Sequence, residues 1–76
     1  MSTTLAQLEV GNRAKIEKYT DADVSLKLMQ MGCIPGEIIT VSNIAPLGDP
    51  IAILVSGYQL SLRLSEASKV IVNRLN

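Results

Sequence analysis

Three carboxylates, Asp21, Asp23 and Asp49, and the single thiol of Cys33 are the side chains on which metal or nucleophilic chemistry would first be sought. The aspartates lack the loop spacing with which a chain wraps oxygen ligands around calcium. Zinc sites draw on a full set of cysteine and histidine ligands, and this 76-residue chain holds one cysteine and no histidine. The missing histidine also removes the commonest general base, so neither Cys33 nor any serine has an evident activator. No phosphate-cradling G-x-x-x-x-G-K segment occurs, and no G-x-G-x-x-G follows a strand pattern. The sequence therefore predicts no catalytic residue, no metal site, no cofactor and no enzymatic activity. Between Gly32 and Ile34, Cys33 reads as a small buried hydrophobe in preference to a redox sensor.

Binding chemistry is narrowed in the same way. Seven basic residues balance seven acidic ones, so no net field draws the chain to nucleic acid or anionic lipid. Tyr19 and Tyr58 are the only aromatic residues, too few for the stacking platforms of nucleic-acid modules or the aromatic groove that holds proline-rich peptides. A protein partner remains. The segment best suited to meet one is Ala45-Pro46-Leu47-Gly48-Asp49-Pro50. Its prolines fix φ at 46 and 50 and push Ala45 and Asp49 toward extended backbone, while Gly48 permits a turn. Turn chemistry alone explains such a loop as a stiff connector with Leu47 tucked into the core. The functional alternative is a presented contact, Leu47 supplying the apolar anchor and Asp49 the polar rim. Met29 and Met31, at helical spacing, read as core filling more than as a docking surface. Arg13, Lys15 and Lys18 read as a solvated strand face.

These residues need a scaffold, and periodicity supplies one. Residues 12–19 alternate around Ala14 and Ile16, the pattern of a half-buried strand. Thr20 and Asp23 fit a capping box that opens a helix, with Val24, Leu28 and Met31 on one face and Lys27 and Gln30 toward water. Gly32 stands where a left-handed residue would close that helix, and Pro35-Gly36 suits the centre of a type II turn. Three β-rich runs follow, at 37–45, 51–56 and 58–64. A two-residue turn at Ser56-Gly57 would pair Val55 with Tyr58, Ile53 with Leu60 and Ile51 with Leu62, setting all six apolar side chains on one face. Residues 65–67 suggest a single helical turn, and 69–75 a last strand with Val70 and Val72 inward.

About five short antiparallel strands with one helix between the first and second predict a mainly β domain. A sheet this small cannot bury a flat face alone, so curling into an SH3-like barrel is the economical solution, the helix plugging one end with Leu28 and Met31. One domain spanning 1–76 is expected, since so short a chain buries only about 60% of its unfolded surface. The 47% hydrophobic composition argues for folding rather than disorder. No basic region opens the chain, and its longest apolar run, 51–55, falls far short of the roughly 20 residues that span a bilayer. A cytoplasmic location is expected, as is the absence of any intramolecular disulfide.

Leu28-Met29-Gln30-Met31-Gly32-Cys33-Ile34-Pro35-Gly36, then Ala45-Pro46-Leu47-Gly48-Asp49-Pro50, then Leu60-Ser61-Leu62-Arg63 with Glu66-Ala67, closely resemble the ferrous-iron transport protein A (FeoA) family. The opening Leu5 to Gly11 is similar as well, so the resemblance covers essentially the whole chain. It implies a cytoplasmic SH3-like domain that assists a ferrous-iron permease, a membrane protein with a cytoplasmic GTP-binding domain, in a regulatory or assembly role. Gly32, Pro35, Gly36, Gly48 and Pro50 are then structural motif residues, and Pro46, Leu47 and Asp49 the candidate partner contacts. Cys33 departs from the leucine usual in the family. Membrane association would come only through the partner, and exposed strand edges leave self-association open. The competing reading is an SH3-like regulatory module of the kind found in iron-dependent transcription repressors. A third, Arg63 supplied in trans to a nucleotide-hydrolysing partner, requires an exposed and mobile arginine.

Overall fold

Inward positions of the strands carry Ala14, Ile16, Ile39, Val41, Ile51, Ile53, Val55, Leu62, Val70 and Val72, all buried, and this alternation builds one continuous core. The structure, a computed structural model, describes residues 2–76. Its strands are β1 (Ser2–Thr4), β2 (Arg13–Tyr19), β3 (Ile38–Ile44), β4 (Ile51–Val55), β5 (Tyr58–Leu62) and β6 (Val70–Arg74). Helix α1 (Ala22–Met29) joins β2 to β3, α2 (Leu64–Ala67) joins β5 to β6, and a 3₁₀ turn, Leu5–Gln7, follows β1. Every pairing is antiparallel, in the order β1-β6-β2-β3-β4-β5.

The β4–β5 hairpin has the anticipated register, with Val55 opposite Tyr58, Ile53 opposite Leu60 and Ile51 opposite Leu62. Ser56 and Gly57 both adopt positive φ, 52° and 82°, as a type I′ turn requires. Of the six apolar side chains, four are buried and Leu60 packs against the core, while Tyr58 at the strand end remains 43% exposed.

Helix α1 begins one residue later than the capping-box reading placed it. Asp21, not Thr20, is the N-cap, its carboxylate accepting the Val24 N–H at 2.9 Å. The reason lies in the sheet: the Thr20 N–H still donates to Lys69 O at 3.0 Å, which holds Thr20 beside the last strand. Leu28 is buried, and Val24 and Met31 pack on the core from the same face. The helix closes with the Cys33 N–H bonded to Leu28 O and the Gly32 N–H to Met29 O, a Schellman motif with Gly32 at φ +96°. A type II turn follows, the Glu37 N–H reaching Ile34 O at 2.9 Å across Pro35-Gly36.

Two expectations are corrected. Among the described residues the sheet has six strands, not the expected five or so, because Ser2–Thr4 pairs with β6; α1 therefore lies between the second and third strands. The sheet also does not close into a barrel, since β1 and β5 remain its two edges. Packing substitutes for closure: Leu5 and Leu8, around the 3₁₀ turn, and Ala67 of α2 enter the same core. Among the described residues, no helix is long and apolar enough to cross a membrane.

Candidate functional site

The Ala45–Pro50 loop connects β3 to β4 and is fastened by its own backbone. The Gly48 N–H donates to Ala45 O at 2.7 Å, closing a β-turn with Pro46 second and Leu47 third, and the Ala45 N–H donates to Pro50 O at 3.1 Å. Proline is favoured at the second position because its fixed φ already fits the turn. Gly48 leaves the turn at φ +89°, and the Asp49–Pro50 peptide is cis. Leu47, at the tip, is 96% exposed, so it is not tucked into the core. A leucine held at a turn tip with almost all its surface in water can be covered by a partner at little cost in ordering, because the backbone beneath it is already fixed.

Asp49, expected as the polar rim of the loop, is bonded within the chain. Its carboxylate accepts the Leu64 N–H at 3.0 Å, tying the loop to the start of α2. This places Leu64, 39% exposed, and its neighbour Arg63 beside the candidate contacts. Neither was singled out from sequence as part of this surface, because only the fold brings residue 64 to residue 49. Glu66 fixes the same segment: one carboxylate oxygen accepts the Arg63 N–H at 3.0 Å, and the other meets the Lys27 ammonium of α1 at 2.5 Å. The lysine contact and the Arg63 N–H together hold the Glu66 carboxyl below the ordinary glutamate range.

Gly32, Pro35 and Gly36 form a separate, structural group, and both tyrosines serve it. The Tyr19 hydroxyl donates to Cys33 O and the Tyr58 hydroxyl to Met31 O, so the two aromatic residues grip either side of Gly32. Burial, and then the neighbouring thiol, push the Tyr19 hydroxyl up to about 12. Cys33 is buried, as its apolar neighbours suggested, and burial raises its thiol above the ordinary value. Met31 packs on the core, whereas Met29 and Leu26 lie at the surface of α1. Arg13, Lys15 and Lys18 are exposed. Among the described residues, no three histidine, cysteine, aspartate or glutamate side chains gather as a metal site.

The FeoA domain family matches residues 3–74. The chain belongs to the FeoA family. A fusion of Fe(2+) transport protein A with the Fe(2+) transporter FeoB, from Porphyromonas gingivalis, is 34% identical over 73 residues, which make up 95% of this chain but only 9% of that protein. Among solved structures, a FeoA-like protein from Clostridium acetobutylicum is 37% identical with a TM-score of 0.91, covering 99% of this chain and 88% of the other. The FeoA of Stenotrophomonas maltophilia, solved with zinc and described as an SH3 domain protein, is 28% identical with a TM-score of 0.82, covering 93% and 89%. The SH3-like, mainly β architecture is therefore shared with FeoA relatives. A manganese-dependent transcriptional repressor, 14% identical with a TM-score of 0.86 over 97% of this chain and 42% of its own, shares the fold alone.

Proposed function

We propose that the chain is a cytoplasmic accessory of a ferrous-iron uptake system, which docks on the cytoplasmic part of a GTP-binding iron permease and modulates it or helps assemble it. The observation that carries this reading is the fused relative: a domain joined covalently to a transporter in one organism is a natural non-covalent partner of that transporter in another. The Ala45–Pro50 loop supports it from the side of geometry, since Pro46 and Leu47 are presented on a backbone that binding need not order. Docking, and not catalysis, is the role proposed.

The test is ferrous-iron uptake by cells that hold the cognate permease but lack their own FeoA protein. Expressing the chain raises uptake in this reading; uptake that is the same with and without it contradicts the reading. The arginine-in-trans variant is separable. Arg63 is exposed but its backbone is held through Glu66, and an Arg63→Ala chain that leaves the permease's GTP hydrolysis unchanged eliminates that role. The repressor-like reading rests on fold likeness alone.

A further inference from the structure

A strand at the rim of an open sheet leaves the outward amides of every second residue without a ladder partner. The two rims of this sheet differ. Strand β1 is three residues long, and its Ser2 hydroxyl is engaged by the Glu17 carboxylate at 2.7 Å. Strand β5 runs five residues, Tyr58-Gln59-Leu60-Ser61-Leu62, with no charge, no proline and no bulge against β4. These are the devices that normally protect an edge, and β5 has none of them. The tight Ser56-Gly57 turn determines which amides face which way. Its closing pair Val55–Tyr58 exchanges bonds, as do Ile53–Leu60 and Ile51–Leu62, so the N–H and C=O of Gln59 and Ser61 point out of the sheet. Both residues are exposed.

We infer that two copies of the chain join edge to edge through β5, antiparallel about a two-fold axis at Leu60. In that register Gln59 of each copy faces Ser61 of the other. Outward N–H then meets outward C=O at both positions, which a shift of one residue would prevent. Leu60 lies beside Leu60 of the second copy, and the exposed Tyr58 comes beside Leu62 of the second copy. The strand is uncharged and the chain carries no net charge, so nothing repels the pairing. A two-fold contact also consumes the same edge on both copies, so association stops at the dimer. The inference is independent of the permease reading.

Sedimentation equilibrium of the whole chain, from micromolar to millimolar concentration, tests it with two variants. Ser61→Pro removes an outward N–H and no bond to β4. The paired change Gln59→Lys, Ser61→Lys keeps the amides but sets ammonium groups opposite one another across the axis. The expected result is a reversible monomer–dimer equilibrium for the unaltered chain, with the dissociation constant raised roughly tenfold or more in each variant and the thermal midpoint of dilute protein retained. If Ser61→Pro fails to fold, the lysine pair decides. A chain that stays monomeric to millimolar concentration, or a dimer that the folded variants leave intact, overturns the inference.

Discussion

Tyr19 has two functions that a sequence pattern hides behind one ordinary strand residue. It ends β2, and its hydroxyl holds the Cys33 carbonyl, so the turn after α1 is fastened to the strand before it. Because its folded value lies near 12, above the ordinary 10.0, the neutral hydroxyl is the form the fold favours. The associated stability is fully present below pH 10 and is lost as pH rises through about 12. Cys33 acts in the same direction from its ordinary 9.0 upward. Alkaline unfolding, followed by circular dichroism, should therefore steepen above pH 9, and Tyr19→Phe should flatten the portion above pH 10. Acid works with the opposite sign. The lowered values of Asp21 and Glu66 contribute stability above their ordinary 3.8 and 4.5, and that stability is lost as pH falls through their folded values. Asp21→Ala should lower the thermal midpoint by roughly 5 °C, the usual scale of a lost helix cap. Thr20→Ala should lower it less. Two good caps stand adjacent in the sequence, and the bond from the Thr20 N–H to Lys69 O, which keeps Thr20 with the sheet, favours Asp21.

Elements whose pattern is local were readable in advance. The β4–β5 register follows from a two-residue turn that admits one pairing of the apolar set, and α1 follows from Val24, Leu28 and Met31. Strand β1 was not readable, because three residues carry no periodicity and the strand exists only through its pairing with β6. The end of α1 combines both kinds of information. Gly32 is recognisable as a left-handed closing residue, but the tyrosines on either side of it are visible only in the fold. A Cβ at position 32 would stand 2.6 Å from the Tyr58 hydroxyl, on a backbone at φ +96°. Gly32→Ala should destabilise the chain by about 1–2 kcal/mol or more, the scale of the left-handed penalty alone. Urea denaturation measures this. Leu28→Ala, which empties a buried position on the same helix, should cost about 2–5 kcal/mol.

At the scale of the molecule, the sheet stays open, and packing around the 3₁₀ turn and α2 completes the core without a last ladder of hydrogen bonds. That same packing shapes the candidate site. Proline and glycine content marked the Ala45–Pro50 loop as rigid, but whether Leu47 pointed inward or outward depended on the tertiary structure, and it points outward. Asp49, a candidate rim contact, fastens the loop to α2, so an Asp49 variant would disturb the fold together with any surface the loop offers. Leu47 carries no such ambiguity. It should tolerate replacement by alanine with little change in stability, as exposed sites generally do.

The most direct measurement is therefore calorimetric titration of the chain into its cognate ferrous-iron permease in detergent, with the unaltered chain beside Leu47→Ala, both checked for equal thermal midpoints. Saturable binding by the unaltered chain is expected, weakened roughly tenfold in the variant by loss of one anchor that docking would bury. Absence of binding by the unaltered chain in every nucleotide state of the permease would contradict the docking role. Equal binding by the two chains would contradict the assignment of that role to this loop.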